Sequence, residues 1–199
     1  GVGGQGSKNM GGVARENIVA LCDVDERRAG KNFERYPDAA KYKDFREMLG
    51  DASVDAVVIA TPPHWHALAT ILCCQAGKDV YCEKPQSHNP WEGRQAIQAA
   101  RKHDRIVQIG TQNRSAPYNL AAKRYLEEGK LGRVHLCRVF EQTYEPNFEL
   151  GPDTEPPVTL DWEIWNGPAP ARTYNPAIHV RWRKLWDYAG GQMSYQGIH

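Results

Sequence analysis

The chain has 199 residues, 41% of them apolar, with 25 Lys+Arg against 24 Asp+Glu and a formal net charge of +1. Such a balance supplies no field to hold a polyanion, and apolar runs such as Ala56–Ala60 fall far short of the ~20 residues of a membrane span, so nucleic acid and membrane are both excluded as expected partners. Length admits one or two domains.

The opening Gly1-Val2-Gly3-Gly4-Gln5-Gly6 is a G-x-G-x-x-G: a first glycine for a tight turn, a second for close backbone approach to a pyrophosphate, a third for helix packing. Its context supports a dinucleotide site. A short helix is expected around Met10–Ala14, and Ile18–Cys22 reads as a buried strand ending at Asp23, 20 residues after Gly3, where an acidic residue would meet the adenosine ribose. Strand and helix patterns then alternate: helix Glu26–Tyr36 stopped by Pro37, a helical turn Asp44–Leu49, strand Val54–Ala60, helix His64–Gln75 closed by Gly77, and strand Asp79–Cys82. A helix opening at Pro90, a strand Ile106–Ile109 and a helix between Ser115 and Gly129 continue the series. This is the signature of an α/β doubly wound parallel sheet. Composition shifts near residue 145, since seven of the 13 Pro and four of the six Trp fall between Pro146 and Trp186. That stretch is expected to be an irregular, aromatic-rich connection over the first domain or a cleft. Gly190 and Gly191 precede a segment, Gln192–His199, that could open a helix. The expected domains are residues 1–114, binding the dinucleotide, and 115–199, beginning a substrate and oligomerisation domain.

Of the five cysteines, Cys73 and Cys74 are adjacent while Cys22, Cys82 and Cys137 stand alone, which matches no metal pattern and cannot be fully paired within one chain. A reducing, cytoplasmic compartment is the expectation. The chain opens at Gly1 with no initiator Met and no visible signal peptide, which leaves open a leader lost with the true start.

Three clusters could carry chemistry. Thr61-Pro62-Pro63-His64-Trp65-His66 follows the Val54–Ala60 strand at the sheet edge where ligands bind. His64 and His66 could pair on a metal, but no Cys or carboxylate joins them locally, so the expectation is no metal, with helix capping the plainer role. Glu83-Lys84-Pro85 follows the next strand: Pro85 forces Lys84 out of the helical region, with a cis bond open to it, and presents its amine at the same edge. A lysine desolvated there can act as general acid or base, against the plain alternative of a solvated surface lysine. Tyr195 and His199, four apart, share a face if helical and could relay a proton, although a lone terminal histidine often does nothing.

Taken in order, Gly1–Gly6, Cys22-Asp23-Val24-Asp25, Ala60–Ala67, Cys82-Glu83-Lys84-Pro85, Gln112-Asn113-Arg114-Ser115, Leu160-Asp161-Trp162 and Trp165-Asn166-Gly167-Pro168-Ala169-Pro170 resemble the glucose-fructose oxidoreductase / inositol dehydrogenase (Gfo/Idh/MocA) family over essentially the whole chain. The resemblance implies an N-terminal Rossmann domain holding NAD(P), a C-terminal α/β domain that often mediates dimers or tetramers, and oxidation or reduction of sugars, polyols and inositols. By position it assigns Gly1, Gly3 and Gly6 to the pyrophosphate and Asp23 to the adenosine ribose. Thr61, Pro62 and His66 fall at the nicotinamide end, with Glu83 and Lys84 beside the cofactor. Lys84 matches the family's catalytic acid/base. His199 matches the histidine of an Asp-x-x-x-His helix in which Tyr195 replaces the Asp, and Arg114, Trp182 and Arg183 fall on the substrate side. A phenol is neutral at pH 7, so Tyr195 could donate a hydrogen bond but not stabilise a protonated His199.

The expected protein is therefore an oxidoreductase that moves hydride between nicotinamide and a carbinol carbon, with a homo-oligomeric parent. Its rivals are an NAD-assisted glycosidase working by redox-neutral oxidation and elimination, and a non-catalytic dinucleotide-binding module. The Asp23 carboxylate favours NAD over NADP, with Arg27 and Arg28 near enough to offset part of its repulsion of a 2′-phosphate. Trp162, Trp165, Trp182 and Trp186 could line a sugar cleft or pack between domains. In the Rossmann order the first strand lies centrally, and only its last residue or two precede Gly3. Residues 1–199 by themselves are thus expected to be aggregated or partly folded, to bind NAD poorly and to lack dehydrogenase activity.

Overall fold

The structure is a computed structural model that describes residues 1–140, 149–191 and 194. Strands and helices alternate through the first 127 residues. Helix α1 (Gly4–Gly12) begins inside the glycine motif, ahead of the expected start near Met10, because Gly4 adopts φ +49 and lets the turn run straight into the helix. Strand β1 (Ala20–Cys22) leads to α2 (Glu26–Arg35), whose N-cap Asp25 accepts from the Arg27 and Arg28 amides. Strand β2 (Ala40–Tyr42) is an addition to the expected elements, too short and too exposed to show as an apolar run. After the turn α3 (Phe45–Met48) come β3 (Ala56–Ile59), a single 3₁₀ turn Pro63–Trp65, and α4 (His66–Gln75), which together fill the expected helix from His64. Then follow β4 (Asp79–Glu83), α5 (Pro90–Lys102), β5 (Val107–Gly110) and α6 (Pro117–Glu127), no residue of which is buried.

All strand pairs are parallel, as expected for an α/β Rossmann fold. They form two sheets: β1 with β2, and β3-β4-β5 in which Val57 stands opposite Val80 and Val80 opposite Val107. Between the ends of β1 and β3 lies the start of the chain: the Val2 amide donates to Asp23 at 2.8 Å, and a Cβ on Gly1 would come within 3.2 Å of the Ala60 carbonyl. Among the described residues no strand pairs with the facing edges of β1 and β3.

Helices α4 and α5 cover the three-stranded sheet over Ile59, Val80, Cys82, Cys73, Cys74, Ala69 and Ala99. Burial pushes the Cys73 and Cys82 thiols up to about 12, so they pack as apolar groups. A second core joins Val2, Met10, Leu21, Ala29 and Ala39. The stretch after residue 149 is irregular, as composition indicates, but holds two short capped helices. These are α7 (Trp162–Asn166), where Asp161 accepts from the Ile164 amide, and α8 (Pro176–Arg181), where Asn175 accepts from Ala177. This stretch is sewn to the end of β1 by two backbone bonds, Glu26 N–H to the Thr159 carbonyl and Asp161 N–H to the Val24 carbonyl, each 2.9 Å. Of the segment Gln192–His199 only Ser194 is described, so Tyr195 and His199 lie outside the described residues.

Candidate functional site

Parallel strands deliver their carboxyl ends to one edge, and there the chain places Asp23 after β1, Thr61 and Pro62 after β3, Glu83 and Lys84 at and after β4, and Gln112 after β5. With the Gly1–Gly6 turn these residues line one cavity of about 1170 Å³, which also runs between β1 and β3 past Leu21 and Val57. Ile164, His179, Trp182 and Arg183 of the later stretch close another side.

The turn is built for backbone approach. A Cβ on Gly6 would collide with the Gly1 carbonyl, and one on Gly3 would crowd the Arg28 Cβ at 3.2 Å. No side chain caps α1 and its first turn carries no acid, so its leading N–H groups face the cavity end with the positive pole of the helix. Thr61 Oγ1 is buried without a hydrogen-bond partner among the described residues. An open helix start, a glycine cradle and an orphaned hydroxyl together fit a dinucleotide.

Asp23 lies at the turn itself. Its Oδ2 accepts from Val2 and Gly3 N–H at 2.8 and 3.2 Å, and its Oδ1 from Asp25 N–H at 3.0 Å. These bonds fix the carboxylate's direction while leaving further lone pairs for a ribose. His66 is fully buried, and its ring nitrogens face the Pro85 carbonyl (Nδ1, 2.5 Å) and the Thr61 carbonyl (Nε2, 2.8 Å), so it ties two cavity loops together. Burial holds it below the usual histidine range. His64 points elsewhere: its Nε2–H donates to the Trp165 carbonyl at 3.0 Å, and burial pushes its pKa down to about 4. The two histidines thus serve different contacts. Lys84, half-buried beside a cis Lys84–Pro85 bond, has an ammonium lowered below the ordinary lysine range by burial, then by Arg183, against the raising charge of Glu83.

Glu83 is 5% exposed, and its Oε1 accepts from Gln112 Nε2 at 2.6 Å, Asn9 Nδ2 at 2.9 Å and Gln5 Nε2 at 3.4 Å. The sequence pattern assigns these amides no role. Gln5 and Asn9 sit four apart on one face of α1, a spacing that carries meaning only with the helix starting at Gly4 instead of near Met10. Of the three residues expected to face a substrate, Arg183 stacks over the Trp182 ring at 4.2 Å and both line the cavity, whereas Arg114 is exposed and is not in its wall.

The later stretch docks through rings. Trp65 Nε1 donates to the Ile164 and Trp165 carbonyls at 3.0 and 3.2 Å, Trp162 stacks on Trp165 at 4.8 Å, and the Tyr188 hydroxyl donates to Asn166 at 2.6 Å. Gly167, at φ +48, lies so close over Trp65 that a Cβ there would overlap the indole. Trp182 shares this buried core, while Trp186 is exposed.

No helix among the described residues is long and apolar enough to cross a membrane. Residues 1–111 match the model of an oxidoreductase family with an NAD-binding Rossmann fold, and residues 141–199 match that family's C-terminal alpha/beta domain. An inositol 2-dehydrogenase of Rubrobacter xylanophilus is 32% identical over 175 residues, 83% of this chain and 48% of that protein. A probable dehydrogenase from Thermotoga maritima superposes with TM-score 0.61 at 30% identity over 66% of this chain and 40% of the other. The WlbA dehydrogenase of Bordetella pertussis, solved with NADH and UDP-GlcNAcA, gives 0.63 at 26% identity over 67% and 41%. The chain spans less than half the length of these proteins. By its matched domains, its parallel sheets and its glycine turn, the chain belongs to the Gfo/Idh/MocA family of NAD-binding oxidoreductases.

Proposed function

We propose that the protein is an NAD-dependent dehydrogenase of a sugar, polyol or inositol in which Lys84 takes or gives the hydroxyl proton. The observation that carries this reading is a partly desolvated lysine at the end of β4, in one cavity with a glycine turn and an uncapped helix start. Bound NAD supplies the hydride acceptor. The first-turn N–H groups of α1 hold the pyrophosphate, Asp23 the adenosine ribose, and Thr61 Oγ1 the nicotinamide side. His66 acts by keeping the Thr61 and Pro85 loops at a fixed distance, and Lys84, lowered from its ordinary range, has a larger share of neutral amine near pH 7 to accept the proton during oxidation. His199 and Tyr195 complete the proton path, Tyr195 as a neutral donor. Trp182 and Arg183 face the substrate, and the working enzyme is a homo-oligomer. Asp23 selects NAD, because its carboxylate is held in place by three N–H groups and repels a 2′-phosphate.

The test is NADH formation by the full-length protein with a panel of inositols, polyols and sugars, alongside titration with NAD and NADP. Turnover with NAD supports the reading, and equal or tighter NADP binding overturns the cofactor choice. Product formed with bulk NAD and NADH unchanged would assign redox-neutral elimination instead. NAD binding without turnover on any of them would leave a binding module.

A further inference from the structure

The turn between β1 and α2 is held from outside its own sheet. Asp25 pairs with Leu160 as an isolated antiparallel bridge, flanked by the bonds from Glu26 N–H to the Thr159 carbonyl and from Asp161 N–H to the Val24 carbonyl, each 2.9 Å. Leu160 is buried in the ring-rich core, and Val24 packs against that core. The Asp25 carboxylate is buried as well: its Oδ1 accepts from the Arg27 and Arg28 amides, and its Oδ2 lies 3.9 Å from His179 Nε2 of α8. Residues 24–26 are thus gripped through backbone, packing and side chain by the later stretch. The same turn reaches the cavity. Asp25 N–H donates to Asp23 Oδ1 at 3.0 Å, while Asp23 Oδ2 accepts from the Val2 and Gly3 N–H groups. Each oxygen of that carboxylate therefore has its own anchor, one on the glycine turn and one on the backbone that residues 159–161 hold.

We infer that residues 159–161 are positioning residues for the cofactor's adenosine ribose: they fix the backbone of residue 25 and, through it, the direction in which Asp23 presents its carboxylate. The inference rests on the proposed role of Asp23. A carboxylate with one anchor is free to turn about its last carbon–carbon bond, and a ribose diol is read well only by oxygens held at a fixed angle. With both anchors in place the carboxylate is ordered before the cofactor arrives, so binding does not have to order it. The choice between a 2′-hydroxyl and a 2′-phosphate, made at the end of β1, is then set in part by the docked region. Release of the turn would also free Arg28, whose Nε lies 3.9 Å from Asp25 Oδ2, to approach the 2′ position.

Position 26 permits a narrow test. Glu26 is the first residue of α2, where proline is favoured, and Asp25 before it is already extended at φ −118 and ψ 97. Glu26→Pro therefore removes the N–H that reaches Thr159 and keeps the helix start. Glu26→Ala retains that N–H and, like the proline, loses the exposed ion pair with Lys43, so comparing the two isolates the backbone bond. Both are made in the full-length protein and titrated with NAD and with NADP by calorimetry. Relative to Glu26→Ala, Glu26→Pro is expected to bind NAD about tenfold more weakly, the worth of one hydrogen bond to a charged group, and NADP equally or more tightly. Leu160→Ala loosens the same contact by packing and keeps every backbone bond; it is expected to shift the ratio the same way by a smaller factor, and it carries the test should the proline variant fail to fold. An NAD-to-NADP ratio unchanged in the folded variants, even with a lower melting temperature, would overturn the inference and leave residues 159–161 a purely structural role. Asp23→Ala separates the inference from the reading beneath it. Loss of NAD preference there with an unchanged ratio in Glu26→Pro overturns the inference alone, whereas NAD preference kept in Asp23→Ala overturns the role of Asp23 and the inference with it.

Discussion

The unit built on β1–β5 buries small and aliphatic side chains, Ile59, Val80, Cys82 and Ala69 among them, between strands and helices. Residues 149–191 bury rings instead: Trp165 lies against Trp162, Tyr188 and His179 at 4.8–5.3 Å, and the stretch has no strand among the described residues. The first region is cohesive through its repeat, since every strand finds a like neighbour. The second gains its order by docking, through carbonyls that accept from Trp65 and His64 and through side-chain caps on two short helices. A repeat tolerates local change but depends on every strand being paired; a docked stretch depends on a few large contacts.

The facing edges of β1 and β3 are where the repeat is weakest. Ala56 and Val58 are exposed and Ala20 and Cys22 only partly buried, so the unpaired N–H and C=O groups of these edges reach water, and what is missing is the ladder itself, about 0.5–1.5 kcal/mol for each hydrogen bond not made against a total of ~5–15 kcal/mol for a domain. Residues 1–199 by themselves are therefore expected to melt broadly, with no NAD-dependent rise in midpoint. A sharp melt raised by NAD would show that the split sheet is self-sufficient. In the docked region Trp165→Ala is expected to cost roughly 3–5 kcal/mol in the full-length protein, read by denaturant unfolding. Trp182→Ala should likewise lower stability and also weaken sugar affinity, since the ring lies both in this core and in the cavity wall; reduced stability with unchanged affinity would move Trp182 from recognition to packing.

His64 joins the two regions and gives the junction a pH dependence. Its folded pKa of about 4 lies below the ordinary 6.5, so the unfolded chain binds the extra proton first. Stability from this group is complete above pH 6.5 and is lost as pH falls toward 4, roughly 3 kcal/mol over the interval. His64→Gln should flatten that part of the stability curve, and an equal loss in both proteins would remove His64 as its cause. Lys84→Ala should lower turnover by about 10²-fold, some 2.7 kcal/mol in the barrier, with melting unchanged because the position ends a strand. Near-parental turnover would return Lys84 to the role of a surface lysine. The smallest effect is Asn175→Ala, which removes the cap of α8 and should cost ~1 kcal/mol by thermal melting.

The strands β3, β4 and β5 are legible in the sequence because they are apolar runs bounded by turn residues, and the glycine turn and Asp23 because the Gly-x-Gly-x-x-Gly pattern and an acid 20 residues on stand out by spacing alone. Strand β2 is not, since Ala40-Lys41-Tyr42 pairs with β1 through its backbone and leaves almost no apolar trace. Short α7 and α8 hide for a related reason: their caps are readable only once the stretch is known to be folded. Thr61, Pro62, Glu83 and Lys84 can be placed at one edge from strand ends alone. The clamp on Glu83 cannot, because Asn9 and Gln112 lie 103 residues apart and meet only through the sheet.

Gly167 seats its bare Cα on the Trp65 indole, and Trp65 belongs to the same 3₁₀ turn that follows Thr61 and Pro62. The shape of the later region is thus written against a wall of the cofactor cavity, at a point where a single methyl group is too much. The two halves are not interchangeable parts. A chimera that joins residues 1–140 to the corresponding region of a relative carrying any side chain at position 167 would have to displace Trp65, and the disturbance would arrive first at the Thr61 and Pro62 wall of the cavity.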